Sequence, residues 1–172
     1  MAATLNLLIT GRPGIGKTTV IERLIARLPR GAATGFFTRE LRERGARLGF
    51  AIHTVDGRAA TLAWMGGAGP AVGRYRVRLD ALDAVAVPAL VPGSGVRLVV
   101  VDEIGKMECL SPRFCDAVRD ALDGPIPVVG TIARHGGGFM AEVRARSDVT
   151  IVELTVENRD RLPHELAARL GL

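Results

Sequence analysis

At 172 residues the chain is long enough to bury one substantial core, so a single domain spanning residues 1–172 is expected. Hydrophobic content of 48% and charged content of 24% are ordinary for a soluble globular protein, and the 4% aromatic content leaves the core to Leu, Val, Ile and Ala. The formal charge of +5 favours anionic partners, nucleotides as readily as nucleic acid, and excludes neither.

The first residues, "MAATLNLLIT", lack a basic n-region and run into a glycine loop, so they are not read as a signal peptide. No apolar stretch approaches the roughly 20 residues of a membrane span, and a cytoplasmic protein with no membrane partner is expected. "LNLLIT" (5–10) reads as a buried strand, and 16–28 as a helix with Val20, Leu24, Ile25 and Leu28 on one face. Residues 34–58 read as two strands joined by a turn near Arg44-Gly45, with a second turn at Asp56-Gly57. Residues 72–79 alternate like a further strand. Their Arg74, Arg76 and Arg78 share one face, read as the charged protection of an edge. Residues 80–90 resemble a short helix capped by Asp80 and disturbed by Pro88.

In the second half, "VRLVVVDE" (96–103) is the continuous apolar run of a central parallel strand. Residues 111–124 form a helix with Ser111 as N-cap, Pro112 at the first helical position and Gly124 as stop. Residues 126–132 and 149–156 read as strands, and 158–170 as a closing helix with Asn158 as cap. Strands alternating with helices predict an α/β fold of three layers with a mostly parallel central sheet and an antiparallel edge hairpin at 34–58. Cys109 and Cys115 make no disulfide framework and sit in no metal-ligand pattern, so they are read as two reduced, partly packed thiols.

"GRPGIGKT" (11–18) satisfies G-x-x-x-x-G-K-[ST] between a strand and a helix, the context such a phosphate loop requires. Glycines let successive N–H groups turn inward toward phosphate oxygens, and the helix adds its positive dipole end. In this setting Lys17 is the point charge for β- and γ-phosphates, and the Thr18 hydroxyl is a ligand for Mg²⁺. The chain carries 23 basic residues of which only Lys17 and Lys106 are lysine, and arginine is too broad to replace Lys17 inside a backbone nest.

A magnesium-dependent phosphate site needs a carboxylate at the end of another central strand. Asp102 is the first acid after the run "RLVVV" and is the second expected metal ligand. Glu103 points the other way along an extended strand and is the candidate general base for a hydrolytic water. Lys106, three residues on, either holds Glu103 in place or neutralises charge in the transition state. Arg144, Arg146 and Arg134 are candidates to reach the γ-phosphate, and Thr131 to sense it or orient water. His53, His135 and His164 share no ligand spacing.

Taken together, "GRPGIGKTT" (11–19), "GFFTRELRERGARLGF" (35–50), "VGRYRV" (72–77), "VVVDEIGKMECLS" (99–111), "VVGTI" (128–132), "VRARSDV" (143–149) and "ENRD" (157–160) resemble the small P-loop nucleoside triphosphatases known as the thermophilic, or cancer-related, NTPases. The resemblance spans nearly the whole chain. It implies a RecA-like P-loop core that hydrolyses ATP, GTP and other nucleoside triphosphates with Mg²⁺ and little base preference. It also implies that Gly11, Arg12, Pro13, Gly14, Ile15, Gly16, Lys17, Thr18 and Thr19 hold the phosphates. Asp102, Glu103, Ile104, Gly105 and Lys106 then form a second nucleotide-facing segment. Cys109 departs from the larger apolar residue expected there.

The leading expectation is a monomeric nucleoside-triphosphatase with Glu103, Lys17 and Lys106 as catalytic residues. The alternatives are a nucleotide or nucleoside kinase with an unidentified acceptor, and, less favoured, a nucleotide-dependent RNA- or DNA-binding module that uses the arginine-rich hairpin. The last lacks the aromatic stacking residues such surfaces use.

Overall fold

The computed structural model describes residues 5–172; the four residues that open "MAATLNLLIT" lie outside the described residues. One nine-stranded sheet runs through the molecule in the order β5-β6-β4-β3-β2-β7-β8-β1-β9. Its strands are β1 (Asn6–Thr10), β2 (Ala33–Glu43), β3 (Ala46–Thr54), β4 (Ala59–Met65), β5 (Ala71–Val72), β6 (Tyr75–Val77), β7 (Leu98–Ile104), β8 (Val128–Ile132) and β9 (Val149–Glu153). The parallel part is β2-β7-β8-β1-β9, and the remaining strands extend it antiparallel from β2.

The central strands are buried on both faces, which is why their sequences are continuous apolar runs. Leu7, Ile9, Leu98 and Val100 face one core with Val20, Ile21 and Leu24 of α1 (Lys17–Ile25) and Leu162 and Leu166 of α6 (Leu162–Leu170). Leu8, Val99 and Val101 face the other, with Phe114 and Val118 of α4 (Pro112–Asp123) and Met140 and Val143 of α5 (Phe139–Ala145). Sheet between helices gives the expected three layers.

Several elements differ from the sequence expectation. The segment 34–58 is not an added edge hairpin. The first half of β2 pairs in parallel with β7, setting Phe37 opposite Asp102, while Phe36 to Glu43 pair antiparallel with β3. The turn at Arg44-Gly45 is as expected, with φ of 47° and 81° at the two central residues, the primed turn that matches strand twist. After the Asp56-Gly57 turn the chain forms β4, which its alanine-rich sequence "AATLAWM" hid, because alanine carries little strand preference. Residues 71–77 form only the short β5–β6 hairpin, before the chain turns helical at Leu79, and β5, not the arginine-bearing β6, is the edge on that side.

Residues 79–89 are helical but broken into α2 (Leu79–Ala81), a π-helical turn (Leu82–Ala86) in which Val87 N–H reaches back to Leu82 O, and α3 (Val87–Ala89). The helix starts one residue before Asp80, whose carboxylate pairs with Arg78 at 2.9 Å instead of capping. Ser111 does cap α4, accepting from Phe114 N at 3.1 Å, and Pro112 opens the helix. The strand after it starts at Val128, two residues late, since Pro125 and Pro127 have no N–H to donate. Buried Asn6 accepts from Val128 N at 3.0 Å and donates to Leu122 O at 3.1 Å there. The last helix begins at Leu162, and Asn158 instead braces the preceding turn, donating to Glu153 O and accepting from Thr155 N.

Candidate active site

The loop 11–16 leaves β1 at Thr10 and turns straight into α1. Gly16 sits at the helix cap with φ of 108°, a conformation that a side chain would strain, and α1 therefore starts with open N–H groups and no side-chain cap. Lys17 Nζ lies back over the loop, donating to Gly11 O at 3.3 Å and Arg12 O at 3.5 Å, with no acid as ion-pair partner among the described residues. Arg12, Pro13, Gly14 and Thr19 are exposed, and Ile15 is half-buried.

Asp102, at the end of β7, is 3% exposed and is held from two sides. Thr18 donates to Oδ2 and Thr131 to Oδ1, each at 2.5 Å, while its backbone carbonyl accepts from Thr38 Oγ1 at 2.8 Å. Burial pushes the Asp102 carboxyl up to about 6. The two hydroxyls and the Lys17 charge pull it down, and Glu103 pushes it up. Thr131, expected to touch phosphate or water, is instead fully buried as a partner of Asp102. Strand order explains this, since β8 lies between β7 and β1. Thr10 Oγ1, beside the loop, is a buried oxygen without a partner among the described residues.

Glu103 is half-buried, its pKa raised by burial and opposed by the charge of Lys17. Lys106 is exposed and forms no ion pair among the described residues, so it does not tether Glu103. Ile104 is buried in the α4-side core. Between the two acids of the turn stands Gly105: a Cβ there would meet Glu103 Oε1 and Glu108 Oε2, each at 2.9 Å. Glu108 escaped the sequence reading. Its one signal is an acid in the otherwise apolar turn "MECL" just after the acidic pair.

The candidate arginines are mostly committed elsewhere. Arg146 pairs with Asp148 at 2.6 Å and Asp123 at 2.7 Å. Arg144 donates to Ala133 O at 2.9 Å and to Gly136 O, pinning the loop after β8. Arg134 pairs with Glu153 at 2.9 Å. Cys109 and Cys115 are free thiols, half-buried as expected.

The hydroxyl of Thr18 and the carboxylate of Asp102 are hard oxygen donors in direct contact, the ligand type that magnesium takes. No group of three or more His, Cys, Asp or Glu able to hold a metal exists among the described residues. A cation bound between Thr18 and Asp102 therefore needs further oxygens, such as those of phosphate and water.

The sequence model of the family described as NTPase matches residues 6–167. Nucleoside-triphosphatase THEP1 of Thermofilum pendens is 43% identical over 176 residues, covering 98% of this chain and 97% of that protein. The human cancer-related nucleoside-triphosphatase is 37% identical over 174 residues, covering 91% and 92%. Among solved structures, the crystal structure of THEP1 from Aquifex aeolicus superposes with a TM-score of 0.88 at 32% identity, covering 98% of this chain and all of that one. The solution structure of the human cancer-related enzyme superposes with a TM-score of 0.81 at 36% identity, covering 96% and 97%. With its phosphate loop tied by hydroxyl to the acid of a neighbouring strand, and with likeness running along nearly its entire length, the chain belongs to the NTPase family of nucleoside-triphosphatases.

Proposed function

We infer that the chain hydrolyses nucleoside 5′-triphosphates, ATP and GTP among them, to the diphosphate and phosphate in a magnesium-dependent reaction. The observation that carries this reading is the 2.5 Å contact between Thr18 Oγ1 and Asp102 Oδ2, which joins the phosphate loop to the acidic end of β7. The N–H groups of 11–18 and the positive end of α1 bind the triphosphate tail. Lys17, held among the described residues by two loop carbonyls, exchanges them for phosphate oxygens. Thr18 and Asp102 are the residues that would hold Mg²⁺, and the cation, when bound, supplies charge neutralisation at the β- and γ-oxygens.

Glu103, on the next residue, takes the proton of the attacking water. Its raised pKa brings its basicity closer to the working pH, where proton transfer is efficient. Lys106 is exposed and forms no ion pair among the described residues, so its charge is available to bound nucleotide. One continuous sheet supports reading the chain as a single domain. A cytoplasmic monomer belongs to the same reading, and no helix among the described residues is long and apolar enough to cross a membrane. Nucleic acid is not favoured as a partner, because Arg39, Arg42, Arg47 and Arg58 of the extension are paired to acids.

Phosphate release from ATP, GTP, CTP and UTP with and without Mg²⁺, and with a panel of small phosphoryl acceptors, tests the reading. Metal-dependent release from several triphosphates is expected. Transfer to an acceptor that outpaces hydrolysis would replace the hydrolase by the kinase.

A further inference from the structure

Trp64, the only tryptophan of the chain, lies near the end of β4 and is 40% exposed. Its partner across the sheet is Gly49 of β3, where a Cβ would stand 2.8 Å from Trp64 Cε3. The indole therefore lies down on the bare backbone of Gly49, which holds one side of it against the sheet. Its exposed surface lines an open groove of about 900 Å³, whose other walls include the loop 67–70, Thr61, Arg78 and Leu79. That size is ordinary for a small-molecule site.

On its other side Trp64 is paired with Arg76 of β6. Directly opposed residues of an antiparallel pair carry their Cβ atoms about 5 Å apart on the same face. Arg76 is exposed, and its guanidinium makes no ion pair or hydrogen bond among the described residues. Nor does it lie on the indole: the arginine–ring contacts of this region are those of Arg47 on Phe50 and Tyr75 and of Arg74 on Tyr75. Gly67 stands over the pair, and a Cβ there would lie 3.6 Å from Arg76 Cβ and 3.9 Å from Trp64 Cβ. The missing side chain leaves that space open.

Charge selects what fits. Strands β3 to β6, Ala46–Val77, carry four arginines against one acid, Asp56, so most of the formal charge of +5 sits on this extension. Asp56 is taken by Arg58, and Asp80, the one acid lining the groove, is taken by Arg78 at 2.9 Å. A cation is repelled here, and a purely apolar ligand leaves Arg76 unused. A planar ring that carries an anion meets both groups, its face on the indole and its charge on the guanidinium. In the sheet β3, β2, β7 and β8 separate β4 from β1. That places the groove on the order of 24 Å from the strand that leads into the phosphate loop, so one nucleotide does not fill both.

We propose that this groove is a second ligand site, distinct from the phosphate loop, for a planar heteroaromatic anion with the chemistry of a nucleoside monophosphate. The base stacks on Trp64 and the phosphate pairs with Arg76. The site requires neither magnesium nor turnover, so it stands apart from the hydrolase reading.

The fluorescence of Trp64 reports the site directly, because no other tryptophan contributes. Full-length protein without Mg²⁺ is titrated with GMP, guanosine, inorganic phosphate and a single-stranded DNA hexamer. GMP should quench saturably, guanosine should bind about tenfold more weakly, and phosphate alone should not quench. Arg76→Ala should weaken GMP about tenfold, and Gly67→Leu, which fills the space over the pair, should abolish the quench. Trp64→Leu, followed by calorimetry, should weaken GMP on the order of tenfold through loss of stacking. Lys17→Ala should bind GMP at this site as wild type does.

Absence of saturable quenching would overturn the proposal, as would guanosine equal to GMP or an unchanged GMP affinity in Arg76→Ala. Loss of the quench in Lys17→Ala would return the signal to the phosphate loop. A hexamer that binds far more tightly than GMP would replace the free nucleotide by a single strand.

Discussion

The buried hydroxyl of Thr131, at the end of β8, donates to Asp102 Oδ1 at 2.5 Å, opposite the bond from Thr18 to Oδ2. Two strands and the start of α1 thus meet at one carboxylate: β7 carries it, β8 steadies it and Thr18 of α1 touches it. Each hydroxyl favours the ionised form, against a burial that disfavours it.

The first prediction follows from that balance. Thr131→Val keeps the shape and removes one bond to the ionised acid, so the Asp102 pKa rises further above 6. Activity that needs the carboxylate is lost as pH falls through this pKa, and the acid limb of kcat/KM should move to higher pH. A profile of kcat/KM from pH 5 to 8 reads the free enzyme, and an unmoved limb counts against the role given to Thr131.

Glu103→Gln should lower kcat by about 10²- to 10⁴-fold while nucleotide binding stays close to wild type. Calorimetric titration with a non-hydrolysable triphosphate and single-turnover phosphate release separate the two. Turnover at the wild-type rate would remove Glu103 as the base.

Arg146→Ala tests whether this arginine serves structure or chemistry. Its guanidinium joins Asp148 and Asp123, and both it and Asp148 are largely covered, at 22% and 23% side-chain exposure. Losing these charge-assisted bonds should cost about 1–3 kcal/mol in urea unfolding. The folded fraction should turn over within about threefold of wild type, because kcat follows transition-state contacts and this residue makes none. A large fall in kcat with unchanged stability would reinstate it as a candidate to reach the γ-phosphate.

Gly35→Ala probes the join between the parallel and antiparallel halves of the sheet. At φ of 113° the glycine brings β2 so near β7 that a Cβ would stand 2.0 Å from Val100 O. The overlap is with backbone and has nowhere to go, so a loss on the order of 3 kcal/mol or more is expected, or failure to fold. A soluble variant with the wild-type urea midpoint would show that β2 is not held there.

The phosphate loop and the acid after the apolar run were readable in the sequence because their chemistry is local. Glycines that permit a left-handed φ at residue 16, a lysine and threonine at the start of a helix, and a strand buried on both faces each leave their mark within a few neighbouring residues. The Ser111-Pro112 helix start and the Arg44-Gly45 turn were legible for the same reason. The arginines were not: Arg134, Arg144 and Arg146 look alike along the chain, and only packing shows that Glu153, the carbonyls of 133 and 136, and the pair Asp123 and Asp148 had already claimed them. The entry of β2 into the main sheet, the insertion of β8 between β7 and β1, and the burial of Glu108 beside Glu103 depend on strand order and on the exclusion of water. Those are properties of residues far apart in the chain, and no stretch of sequence contains them.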